Sequence, residues 1–217
     1  MDFRPGDKTS RPTISPEPDG PYIVSNLTSL INSKGESLPT RPSLALCRCG
    51  GSALKPYCDG THARIGFSSQ KFPDRVADRR DNYNVGNLTI HDNRGICQHS
   101  GYCTDNLSAV FRVAKDPFVD PTGAAADAIV DQVRQCPSGA LSYSINGVEH
   151  RDQDRPPTIT VSKNGPYRIT GGADLEDDSW GEGASREHYA ICRCGHSKNK
   201  PFCDGSHWYV KFTDDDN

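Results

Sequence analysis

Apolar residues are scarce in this chain of 217 residues. They make up 34% of it, with one methionine and two tryptophans, and the mean hydropathy is -0.69. A single large core is therefore not expected. Thin-cored small modules, held by disulfides or metals, fit better. No apolar run approaches bilayer length, so no membrane span is expected. The opening Met1-Asp-Phe-Arg-Pro-Gly-Asp-Lys lacks the apolar stretch of a secretory signal. A net charge of -3 with mixed signs leaves no basic footprint for nucleic acid. A phosphate-binding glycine loop, a nucleophile elbow and a paired-carboxylate arrangement are all missing, so no substrate pocket is expected.

What the chain does hold is cysteine, nine of them, with 20 glycines and 16 prolines. Eight ligand-type residues fall into two copies of one pattern, C-x-C-x8-C-x3-H. The first is Cys47-Arg48-Cys49-Gly50-Gly51 through Pro56-Tyr57-Cys58-Asp59-Gly60-Thr61-His62. The second is Cys192-Arg193-Cys194-Gly195-His196 through Pro201-Phe202-Cys203-Asp204-Gly205-Ser206-His207. The repeat is longer than the motif. Gly20 and Gly165, Cys47 and Cys192, and His62 and His207 are each 145 positions apart. Short strands are predicted at Tyr22–Ser25 and Tyr167–Thr170, and strands leading into the ligand loops at Leu44–Leu46 and Tyr189–Ile191. Residues 1–18 read as a disordered polar arm, and 214–217 as a frayed end. Tyr22 and Tyr167 read as packing residues of the strand pairs, and Trp180, Trp208, Phe67 and Phe212 as small-core residues.

Each motif offers three thiolates and one imidazole. Cysteines so spaced, in a chain without a secretory signal, point to metal in a reducing compartment rather than to disulfides. The cytoplasm is the expected location, and an organelle matrix meets the same condition. Gly50 and Gly51 let the loop bend so that Cys47 and Cys49 face one side. Asp59 caps a short helix that brings His62 one turn beyond Cys58. Cys203 and His207 repeat that relation. The donor set suits structural zinc or an iron–sulfur centre, although zinc modules usually carry C-x2-C knuckles. Arg48, Arg193, Lys55 and Lys200 occupy equivalent places and read either as charge compensation or as solvated surface charges.

The run Cys-Asp-Gly-(Ser/Thr)-His resembles the CDGSH iron–sulfur proteins, the mitoNEET-like family, over about 20–70 and 164–212. That resemblance implies two [2Fe-2S] clusters. Cys47 and Cys49 would bind one iron and Cys58 and His62 the other, with Cys192, Cys194, Cys203 and His207 repeating the set. It also implies that tandem copies form an internal pseudo-twofold pair. Replacing a fourth thiolate by an imidazole leaves one negative charge fewer, so the potential should exceed that of an all-cysteine ferredoxin. Protonation of the ligating nitrogen would release it, so such clusters should be acid-labile.

Between the repeats, at 80–150, the pattern changes. A strand is predicted at Asn87–His91, then a loop with Cys97 and Cys103, a strand at Ala109–Val113, and an amphipathic helix near 123–135. Its expected apolar face is Ala126, Ile129, Val130 and Val133. Cys136-Pro137 ends that helix, a last strand covers Leu141–Ile145, and 151–157 is a linker. This segment resembles the divergent mono-cluster ferredoxin domain, with Ser100 where a second cysteine is usual. The resemblance implies one [3Fe-4S] or [4Fe-4S] cluster on Cys97, Cys103 and Cys136. His99, Ser100 or water is the candidate fourth ligand.

The expected protein is α+β with small β-rich modules: 19–72 and 158–213 as CDGSH lobes, with a ferredoxin-like module at 80–150 inserted between them. It is expected to carry electrons or deliver [2Fe-2S] clusters and not to be an enzyme, although a subunit of an oxidoreductase would look alike. A reductase and an acceptor protein, or apo iron–sulfur proteins, are the expected partners. A redox or iron sensor acting by cluster loss, and a structural zinc interaction protein, remain open.

Overall fold

A computed structural model describes residues 11–177, 179–215 and 217. The chain is mostly β, with few and short helices. The first repeat supplies β1 (Thr13–Pro16), β2 (Tyr22–Ser25), β3 (Leu30–Ile31), β4 (Ser43–Leu46) and α1 (Thr61–Arg64). The middle segment supplies β5 (Arg80–Val85), β6 (Leu88–Asn93), α2 (Tyr102–Asn106), α3 (Ala126–Val133), β7 (Leu141–Ile145) and β8 (Val148–His150). The second repeat then gives β9 (Thr158–Val161), β10 (Tyr167–Thr170), β11 (Asp174–Leu175), β12 (Tyr189–Ile191) and α4 (Ser206–Tyr209).

Alternation sets the strands: in β2 the side chains of Tyr22 and Val24 point inward while Ile23 and Ser25 are half-buried. Two of the sheets are built reciprocally by both repeats. One runs β11-β1-β2-β4 and the other β12-β10-β9-β3. Each takes its edge strand from the other repeat: Ile14 pairs with Leu175, and Leu30 with Ile159, both in parallel register. A single core follows, drawing Ile14, Val24, Leu46, Ile159, Ile169 and Ile191 from both repeats.

The third sheet, β5-β6-β7-β8, belongs to the middle segment alone. It carries its own core of Leu88, Ile90, Phe111, Ile129, Val133 and Leu141. Asn146 and Gly147 join β7 to β8 with φ of 51° and 80°. That is the double left-handed geometry of a tight hairpin.

Four expectations are corrected. Residues 1–10 of the expected arm lie outside the described residues, but from Thr13 the chain is a strand. Ile14 is fully buried between strands of both repeats, which holds it there. At the other end Asp214 forms a buried ion pair with Arg193, and Asn217 donates to the Val161 carbonyl at 3.2 Å. Ala109–Val113 is a turn and not a strand. The amides of Val110 and Phe111 both donate to the Leu107 carbonyl, which turns the chain back on α2 in place of a strand ladder. On α3, Ala126 is exposed and the inward face is Ile129, Gln132 and Val133.

Candidate metal centres

Each CDGSH loop is closed by its own backbone. The Cys47 amide donates to Pro56 O at 2.8 Å and the Cys58 amide to Ala45 O at 2.9 Å; Cys192 and Cys203 do the same to Pro201 and Ala190. Asp59 then ties both ends of the loop, accepting from the amides of Ala53 at 2.8 Å and Thr61 at 3.0 Å. Asp204 does so from Lys198 and Ser206. Gly60 and Gly205 take φ of 84° and start the helical turns that carry His62 and His207.

The ligands are gathered in pairs. Cys47 and Cys49 Sγ lie 3.8 Å apart, and Cys58 Sγ lies 3.3 Å from His62 Nδ1. At the second site the separations are 3.7 Å and 3.5 Å. Tetrahedral coordination at a metal–sulfur distance of about 2.3 Å puts two sulfurs about 3.8 Å apart, and slightly less for sulfur and nitrogen. Each pair is thus spaced to share one metal. Among the described residues no three His, Cys, Asp or Glu side chains close round a single ion.

Burial first, and then the charge of Cys47, push the Cys49 thiol up to about 11, against the pull of the Gly51 amide. The contact between the Cys192 and Cys194 sulfurs lowers Cys192 to about 6 and raises Cys194. Burial lowers His207 to about 4, so its ring is neutral and free to bind metal. The two sites differ in cover. Cys58 and His62 are half-buried, whereas Cys203 and His207 are buried.

The support for each loop comes from the opposite repeat. Tyr22 Oη lies 2.9 Å from Cys192 O and 3.0 Å from Pro201 O; Tyr167 Oη lies 2.9 Å from both Cys47 O and Pro56 O. The two rings meet edge-on at 6.2 Å. Reading these tyrosines as packing residues missed that role, and their shared offset was the available signal. Arg48 and Arg193 are buried under the same rings, 5.1 Å and 5.6 Å away. They bond backbone carbonyls, as do Lys55 and Lys200, and so are structural rather than solvated. Gly50 and Gly195 meet at the centre. A Cβ on Gly195 would sit 2.5 Å from Cys49 O, and one on Gly50 2.6 Å from Cys194 O.

In the middle segment Cys97, Cys103 and Cys136 line one cavity of about 250 Å³, together with Arg94, His99 and Ser100. Burial, and behind it Cys136, drives Cys103 up to about 11. Burial drives Cys97 to about 12 against the nearby Arg94 charge. Cys97 and Cys103, whose thiols resist ionisation, need bound metal to become thiolates, and Arg94 supplies compensating charge. Asp92, on β6, is buried with Oδ1 unpartnered, and burial lifts its carboxyl to about 6. His91 and His188 bond to neighbouring polar groups, His150 stacks on Tyr143, and His196 is exposed. All nine cysteines are free of disulfides.

These loops define a protein with two repeated metal-binding centres and a separate cavity lined by three cysteines. The family described as "Iron-binding zinc finger CDGSH type" matches residues 19–63 and 164–208. The family described as "Divergent 4Fe-4S mono-cluster" matches 83–146. Protein YjdI of Escherichia coli, strain K12, is 33% identical over 61 residues, covering 28% of this chain and 80% of the relative; its O157:H7 counterpart matches equally. The chain belongs to the CDGSH iron–sulfur family, with a divergent 4Fe-4S mono-cluster domain between its two repeats. Among the described residues no helix is long and apolar enough to cross a membrane.

Proposed function

We propose that this chain is a one-electron carrier with three iron–sulfur centres and not an enzyme in its own right. The CDGSH sites hold a [2Fe-2S] cluster each, one iron on each ligand pair. Cys97, Cys103 and Cys136 hold a third cluster of three or four irons. The two repeats form a pseudo-twofold pair, supported by their exchanged edge strands and crossed tyrosines. A reducing compartment suits nine cysteines without a disulfide. The partners are a reductase and an acceptor protein. The observation that carries the reading is the tetrahedral-edge spacing of the ligand pairs at both sites.

Stoichiometric photoreduction of the anaerobic protein, followed by reoxidation, tests it. Reversible bleaching with iron retained supports the carrier, and no bleaching refutes it. A second reading, cluster delivery, is favoured at the first site alone, because Cys58 and His62 are half-exposed there. Release of about one cluster's iron to an apo-ferredoxin would assign that role to the first site.

A further inference from the structure

The three centres are not equally placed. The middle segment leans on the second CDGSH site and leaves the first open. Trp208 Nε1, one residue from the ligand His207, donates to His99 O at 3.1 Å. The His99 amide in turn donates to Cys97 Sγ at 3.3 Å. The His207 and Trp208 rings lie 5.1 Å apart. Gly205 makes the approach possible: a Cβ there would stand 2.9 Å from His99 Cδ2. Two further contacts fix the seat. Asn199 Nδ2 donates to Gly95 O at 2.9 Å, and Arg168 donates to the Tyr102 hydroxyl at 3.1 Å.

The first repeat has none of this chemistry. At the equivalent positions Ala63 stands for Trp208, Leu54 for Asn199 and Ile23 for Arg168. Leu54 is 63% exposed where Asn199 is 6% exposed. A Cβ on Gly60, the counterpart of Gly205, would meet open space. Two repeats that agree at every ligand differ at the three positions that dock the middle segment on one of them.

We propose that the second CDGSH centre and the middle centre form an electronically connected pair, joined through Trp208 and His99, while the first CDGSH centre stands apart. This rests on the three-cluster reading above. Trp208 and His99 act as positioning residues along this path. They complete a continuous path of covalent and hydrogen bonds from His207 to Cys97. With both clusters bound, one electron entering from an external one-electron reductant would pass between the two centres, one being oxidised as the other is reduced, and Trp208 and His99 would hold the path between them.

The experiment uses the full chain, loaded and reduced, with iron and sulfide measured on the same sample. In EPR power saturation one of the two [2Fe-2S] signals should saturate at several-fold higher power than the other, because a neighbouring paramagnet relaxes it. The difference should vanish in Cys103→Ala, in which the middle cluster is lost. Two signals that saturate alike while all three clusters are present overturn the pairing and leave the carrier reading intact. Absence of the middle cluster from the parent chain overturns both. Trp208→Phe keeps the ring and removes the N–H. Its melting temperature, iron content and saturation behaviour should match the parent, while freeze-quenched electron exchange between the paired centres slows several-fold. Unchanged exchange removes Trp208 from the path.

Discussion

At the residue scale, His207 and Asp92 carry opposite electrostatic signatures. His207 is held near 4, against about 6.5 in an unfolded chain. Between those values the unfolded chain binds a proton that the folded chain refuses, so folded stability declines as pH falls from about 6.5 to about 4. His62 is half-exposed and more open to water. Acidification followed by visible absorption should therefore release the first CDGSH cluster before the second; simultaneous loss would refute the difference in cover. His207→Cys should lower the potential of one cluster by on the order of 100 mV and slow its acid loss. Asp92, lifted by burial to about 6, disfavours the fold as pH rises from about 3.9 through 6. Asp92→Asn should stabilise the protein at pH 7 by on the order of 1–3 kcal/mol in denaturant titration, and no gain below pH 4. The ligands themselves were legible in the sequence because metal chemistry demands a fixed spacing. Asp92 was not, because burial of a carboxylate in an alternating strand leaves no pattern.

At the element scale, the ligand loops depend on glycines held in the left-handed region, with different room for a side chain. Gly60→Ala meets open space and bears only the left-handed backbone, which costs roughly 1–2 kcal/mol. Gly195→Ala adds an overlap with Cys49 O, so about 2–4 kcal/mol is expected, with iron lost from both sites instead of one. Thermal melts and iron counts on the two variants separate these outcomes; equal effects would contradict the abutting of the loops. Strands β2, β7 and β10 could be read from alternation, and α3 from its apolar period. Ala109–Val113 misled because Val110 and Phe111 are both buried in a turn that closes on Leu107. Strand β1 was hidden in a polar stretch whose one apolar anchor, Ile14, pairs with Val24 and Leu175 and joins a core drawn from both repeats. Strand β5, with charged and polar side chains, carries little apolar signal of its own.

At the scale of the whole molecule, the repeats are interdependent. Each lends an edge strand and a tyrosine to the other. Tyr22→Phe should therefore weaken the second site and Tyr167→Phe the first. Each removes a donor from two buried carbonyls, of which the proline carbonyl keeps its backbone amide and the cysteine carbonyl loses the tyrosine, at about 1–3 kcal/mol; site-resolved EPR should show the crossed effect, and an effect confined to the mutated repeat would contradict it. That interlock was invisible in sequence because the motif spacing describes each loop separately. The asymmetry was in plain view as Ala63 against Trp208, yet only the packing of the middle segment gives it meaning. The measurement that bears most directly on the central claim is iron, zinc and acid-labile sulfide per chain in anaerobically purified protein. Three clusters predict four irons for the CDGSH sites and three or four for the middle site, so about seven or eight in all with matching sulfide. Zinc without sulfide would contradict the redox account as a whole.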